Sequence, residues 1–172
     1  HFKEVRVPLE NRVGDEGEGI AHVNYYHQVM GLRSVAQAMG MAQGALDRTI
    51  KYSKQREQFG RKLSQFQVIQ HKVADMAVNI EVARCFTYKL AIEFDQERMD
   101  SGFLSMAQLD VGRKLISIVD EAVQIFGGYG YMADQAIEHY FRDAWAMAVE
   151  LGTEEELKDE IAPGLLGSLS EK

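Results

Sequence analysis

The stretch Ser64-Gln65-Phe66-Gln67, running on to Phe94, decides the fold. Phe66, Ile69, Val73, Met76, Ile80, Ala83, Thr87, Leu90 and Phe94 follow one another at alternating steps of three and four residues. That spacing puts all nine on one side of an α-helix, a heptad-like seam that is apolar but for Thr87. At 1.5 Å per residue the helix is about 45–50 Å long. Ser64 to Gln67 has the form of a capping box and predicts the N-terminus there. Asp100-Ser101-Gly102 breaks the run.

The pattern repeats on both sides. Downstream, Leu104, Ala107, Val111, Leu115, Ile118, Ala122 and Ile125 form a third helix face. Upstream, Leu32, Val35, Met39, Ala42, Leu46 and Ile50 predict a first helix over 20–53, closed near Gln55–Gly60 with Gly60 as its C′ residue. Gly127-Gly128-Tyr129-Gly130 reads as a tight turn and not as a helix interior. A fourth helix follows over 134–149. Thr153-Glu154-Glu155-Glu156 forms a second capping box, opening a last helix to about Ala162 that Pro163-Gly164 closes before a frayed tail. The only prolines, Pro8 and Pro163, stand near the two ends. Long helices joined by short turns predict an all-α, up-down four-helix bundle with a short extra C-terminal helix. The first eight residues differ. Val5 and Val7 alternate with Glu4 and Arg6 until Pro8, which reads as one short strand. A lone strand must pair with something absent or lie loose. Leu9–Gly19 follows as a loop.

Composition excludes several classes. The chain has 172 residues, 46% apolar and 26% charged, enough for one folded core. Nineteen Lys and Arg against 26 Asp and Glu give a net charge of −7, which argues against nucleic-acid binding through phosphate neutralisation. No uncharged stretch is long enough to span a bilayer. One cysteine, Cys85, excludes an internal disulfide and a Cys-rich zinc site. The five histidines show no metal-ligand spacing, so no metal is expected. The lone thiol suits a reducing compartment: the cytoplasm or, with a presequence upstream, the mitochondrial matrix.

Three stretches could carry chemistry, and each has a plainer reading. Lys54–Lys62 is the one cationic cluster; Arg56 could clamp a diphosphate and Phe59 could support a flat ring, or the stretch is a solvated loop. Gln124–Tyr131 places bare glycine backbone between helices, where a phosphate could approach, or it is a turn needing positive φ. Glu150 and Glu154–Glu156 could hold a base, or the acids complement a helix dipole.

Taken in order, these segments resemble the C-terminal part of the acyl-CoA dehydrogenase family. The pieces are Val5-Arg6-Val7-Pro8, Gly14–Gly19, Gly40–Leu46, Arg56-Glu57-Gln58-Phe59-Gly60, Phe66-Gln67 with Ala74-Asp75-Met76, Gln124–Gly130, and Arg142-Asp143-Ala144. The resemblance implies that residues 1–19 are the last strand and exit loop of a missing β domain, and 20–172 the helical bundle. It implies FAD at a dimer interface, each bundle receiving the adenosine-diphosphate end of a cofactor held mainly by its neighbour. Arg56, Gln58, Phe59, Gln67, Gln124, Gly127 and Gly128 are the implied contacts, with Thr153 near the flavin. It further implies an acyl-CoA substrate, oxidised at Cα–Cβ by loss of an α-proton and of a hydride, an electron-transfer flavoprotein as acceptor, and self-association to a dimer or tetramer.

The substrate side departs from the family pattern. Where the family usually reads Tyr-Glu-Gly-Thr, with that Glu as base, this chain reads Glu150-Leu151-Gly152-Thr153. The alternative base position on the first helix aligns with Met30, and the flanking Asp and Arg align with Gln28 and Gly31. Glu150 is one residue out of register, a rotation of about 100° on a helix. Two functions follow: a flavoenzyme with an altered active site using Glu150 or another carboxylate, or a silent bundle serving assembly or cofactor support, such as the base-free subunit of a hetero-oligomer.

Overall fold

The computed structural model describes residues 1–167, and they form a helical bundle. Its long helices are α1 (Gly19–Gln55), α2 (Gln67–Asp95), α3 (Ser101–Phe126) and α5 (Ile137–Leu151). A single turn, α4 (Gly128–Tyr131), lies between α3 and α5, and α6 (Glu154–Leu166) closes the described chain. A two-stranded hairpin, β1 (Glu57–Gln58) and β2 (Arg61–Lys62), links α1 to α2.

The periodic faces become the core. All seven predicted α3 residues are buried, as are Met76, Ile80, Ala83, Thr87 and Leu90 of α2. α1 and α3 lie against each other at the centre; α2 and α5 flank both, and α6 packs on α3. Fully buried groups such as Leu90, Leu115 and Ile118 each contribute roughly 1.5–3 kcal/mol. Two hydroxyls within this core are satisfied locally. Thr49 and Thr87 each donate to the carbonyl four residues back, at 2.8 Å. The predicted bundle and its added C-terminal helix are therefore as expected. Among the described residues, no helix is long and apolar enough to cross a membrane.

Several boundaries differ from expectation. Residues 1–8 are not paired as a strand here and lie loose, one of the two outcomes expected of a lone strand: Val5 and Val7 are 61% and 66% exposed. Alternation alone does not make a strand when no ladder partner is present. The expected box at Ser64–Gln67 is not the cap of α2. Leu63–Gln65 is a 3-10 turn, and Phe66 precedes α2 without a side-chain cap. Gln65 instead reaches back, its Oε1 accepting from the Lys62 N–H at 3.0 Å. Gly60 does not cap α1, which ends at Gln55; it sits in the hairpin turn. Gly128–Tyr131 is one helical turn, entered through Gly127 at φ 60°. The segment 133–135 is a 3-10 turn, and α5 starts only at Ile137. Pro163 lies inside α6, which runs on to Leu166 and ends at Gly167 (φ 76°). In the last turn the missing proline N–H removes a single hydrogen bond, so the helix persists. The tail expected to fray lies, from residue 168 on, outside the described residues. The second box is present: the Thr153 hydroxyl accepts from the Glu156 N–H at 3.3 Å, and Glu156 Oε2 accepts from the Thr153 N–H at 3.2 Å.

Candidate functional site

The cationic loop and the glycine turn come together at one end of the bundle. Arg56 is the first extended residue after α1. Its N–H donates to Tyr52 O at 2.8 Å, and its carbonyl accepts from Leu63 N at 2.9 Å. The hairpin that follows pairs Glu57 with Lys62 and Gln58 with Arg61. Its two-residue loop, Phe59-Gly60, has φ of 52° and 76°. Left-handed φ at both positions is what a tight I′ hairpin turn requires. Glycine adopts it freely, whereas phenylalanine is strained there. Phe59 is also 93% exposed.

Opposite the loop stands the end of α3. The Tyr52 and Phe126 rings stack with centroids 4.0 Å apart and planes 13° from parallel, and the Tyr52 hydroxyl donates to Phe126 O at 3.4 Å. Burial pushes the Tyr52 phenol up, partly offset by the nearby Arg56 cation. The Arg56 guanidinium lies over the Tyr129 ring, 5.1 Å from its centroid. Between these groups is a cleft of about 380 Å³ lined by Tyr52, Arg56, Gln58, Leu63, Ile125, Phe126, Gly127, Gly128, Tyr129 and Met132. Arg56 is its only charged residue, and it makes no ion pair among the described residues. An unneutralised guanidinium at a mostly apolar cleft is an anion seat.

The glycines of the turn serve different ends. Gly127 needs its positive φ, and its N–H is already engaged with Val123 O and Gln124 O at 3.0 and 3.1 Å. Gly130 is forced by packing, since a Cβ there would stand 2.7 Å from Val123 O. Gly128 has neither reason: its φ is not positive, and an added Cβ would meet nothing within 4 Å. It lines the cleft, and its backbone is bare there.

Arg56, Gln58, Gly127 and Gly128 thus share one site, with Phe59 at the adjoining hairpin tip. Gln67 at the start of α2 and Gln124 near the end of α3 are exposed close by in the chain but do not line the cleft. Tyr52 and Tyr129 do line it, and sequence reading missed them. The signal for Tyr52 was its place one helical turn before Arg56.

Thr153, Leu151 and Glu150 lie away from this cleft, Leu151 beside Gly112 in the middle of α3 and Glu150 against α1. Glu150 meets Arg33 of α1, 23 residues before Arg56 and so about 35 Å from it along the helix axis. Glu150 Oε1 accepts from Arg33 at 2.6 Å and from the Ser34 hydroxyl at 2.8 Å. The Ser34 bond, then Arg33, hold its carboxyl below the usual range. A base for a weakly acidic α-proton needs the reverse. Leu151 is 2% exposed and part of the core beside Gly112. Thr153 is exposed, its hydroxyl donating to Glu156 at 2.7 Å. The acids after it are largely committed. Glu154 is held by Arg113, then Lys158, and its pKa falls to about 2. Glu156 is lowered by its bonds with Thr153. Among the described residues, no group of three or more His, Cys, Asp and Glu could hold a metal ion.

The family profile described as "Acyl-CoA dehydrogenase, C-terminal domain" matches residues 17–166. Cyclohexane-1-carbonyl-CoA dehydrogenase of Geobacter metallireducens is 39% identical over 144 residues, 84% of this chain and 38% of its own length. The CarC subunit of the caffeyl-CoA reductase-Etf complex of Acetobacterium woodii is 37% identical over 152 residues, 88% of this chain and 40% of its own. The structure of butyryl-CoA dehydrogenase from Megasphaera elsdenii superposes with a TM-score of 0.89 at 36% identity, over 96% of this chain and 43% of that one. The chain spans about two fifths of the length of these relatives. It belongs to the acyl-CoA dehydrogenase family, whose C-terminal helical domain it forms.

Proposed function

We propose that this bundle completes an FAD site in a flavoenzyme that oxidises an acyl-CoA thioester at Cα–Cβ. The observation that carries this is the convergence of unpaired Arg56 and bare Gly128 on one cleft whose lining holds no acid. The residues fit the cofactor's diphosphate end: Arg56 supplies a fork of donors, Gln58 a neutral amide, and Phe59 an exposed ring at the rim. Gln67 and Gln124 extend the polar edge, and Gly127 fixes the turn. When bound, FAD supplies the acceptor for the hydride.

The separate placing of Arg56 and Thr153 supports a shared site. Arg56 and Thr153 stand on separate parts of the bundle, Thr153 following Leu151 beside Gly112 of α3, which suits a site that each of two copies completes for the other. Exposed apolar groups such as Val78, Val82 and Ile92 on α2, and Trp145 and Val149 on α5, suit such self-association. The CarC relative's name places it in an Etf complex, which supports an electron-transfer flavoprotein as the acceptor here.

A second reading is favoured by the end of α5. With Leu151 in the core and Glu150 bound to Arg33, this chain offers no free base at either family position. Glu150 can accept a proton only once Arg33 and Ser34 let go. A bundle that holds cofactor in a base-free subunit fits that arrangement. Purifying the full-length protein separates these outcomes. Yellow protein with bound FAD is expected. Anaerobic bleaching by a series of acyl-CoAs identifies a dehydrogenase, and yellow protein that no acyl-CoA bleaches identifies a support subunit. Colourless protein that takes up no FAD overturns both.

A further inference from the structure

Arg56 is held before any ligand arrives. Its backbone is bonded on both sides, to Tyr52 and to Leu63, and its guanidinium has no carboxylate to rest on. What it has is the face of Tyr129, at a separation well inside cation–π range. Tyr129 has its backbone fixed, its ring half exposed over the cleft. It belongs to the single turn pinned to α3 by the close packing of Gly130 on Val123 and Phe126. Tyr52, one turn before Arg56, is stacked on Phe126 of the same α3 end. The two sides of the cleft are therefore tied together by one aromatic stack and one cation–ring contact. Without the ring, the long arginine side chain would be free to sample many rotamers, and binding would have to order it.

We propose that Tyr129 is a positioning residue: its ring seats the Arg56 guanidinium in the cleft so that the fork meets a nucleotide diphosphate already oriented. This rests on the cofactor reading above and deepens it. Tyr129 makes its contribution through its face, not its hydroxyl. A phenyl ring replaces it, and an aliphatic side chain of similar bulk does not.

The test is FAD titration of the full-length apoprotein, read as Kd, with thermal melting as the check on folding. Tyr129→Leu is expected to weaken FAD by about two- to tenfold, the cost of ordering one long side chain on binding. Tyr129→Phe is expected to stay within about twofold of the wild type. In an Arg56→Ala background, Tyr129→Leu is expected to cost nothing further, because the residue acts through Arg56. A general structural role would instead give additive losses, and that result overturns the proposal. So does equal weakening by Phe and Leu, which would assign the effect to the hydroxyl. Should Tyr129→Leu lower the melting temperature, the Phe variant and the cycle in the Arg56→Ala background still decide. Wild-type apoprotein that takes up no FAD overturns the cofactor reading, and Tyr129 with it. Normal uptake by wild type, lost in Arg56→Ala but intact in Tyr129→Leu, overturns the role of Tyr129 alone.

Discussion

Arg33 and Glu150, 117 residues apart in sequence, meet at 2.6 Å and clasp the end of α5 to α1. The pair is about half exposed on each side, so it contributes only about 0–1 kcal/mol. It joins the Ser34 hydroxyl, the larger influence, in holding the Glu150 carboxyl below the usual carboxylate range. We expect Glu150→Gln in the full-length protein to lower the melting temperature slightly and to leave acyl-CoA bleaching of the flavin at its wild-type rate. Loss of bleaching with the fold intact would instead make Glu150 the base.

Leu151, which the sequence reading set against the family's base position, is buried in the core beside Gly112. A carboxylate there would be buried among core side chains, with Arg113 of the neighbouring cavity already held by Glu154. We expect Leu151→Glu to destabilise the bundle by about 3 kcal/mol or more, read from the denaturant midpoint, and not to create bleaching activity. An unchanged midpoint together with new activity would show that the α5 terminus rearranges.

The hairpin tip trades stability for an exposed ring. Phe59 holds φ 52°, a conformation that asparagine tolerates far better. Phe59→Asn is expected to stabilise the protein by about 1 kcal/mol and to weaken FAD binding. A melting temperature that falls would show that the edge contact with Phe66 outweighs the backbone strain.

Acid should loosen α6 in a defined window. Glu154 falls from 4.5 to about 2 in the fold, chiefly through Arg113. A carboxylate depressed on folding stabilises above its unfolded pKa, and that contribution disappears as pH drops through the folded value. The Arg113–Glu154 contribution is thus full above about pH 4.5 and gone below about pH 2. Arg113→Met should flatten the melting temperature's pH dependence across that interval. Parallel curves for wild type and variant would exclude the pair as the cause.

How much of this was legible in sequence follows from the length of each signal. The α2 and α3 seams run over seven or more residues, so their faces could be read directly, and the core obeyed them. Ends were harder. Ser64 looked like a cap, but a 3-10 turn intervened, and nothing local distinguishes the two. Phe59-Gly60 hid a hairpin because phenylalanine is not the residue a left-handed turn selects. At the site, Arg56 and Gly128 were legible as residue types. Tyr129 was not, since its role comes from a contact made across 73 residues of chain. The burial of Leu151 and the capture of Glu150 by Arg33 were equally invisible, because both depend on which way α5 is rotated.

The length of α1 has a genetic consequence. In the paired assembly proposed above, damage at Arg56 and damage at Thr153 in one polypeptide would strike two different flavins. Mixing subunits that carry Arg56→Ala with subunits that carry Thr153→Val would therefore concentrate both lesions in one site and leave its twin whole. Two inactive parents would yield a half-active hybrid, the signature of complementation between alleles.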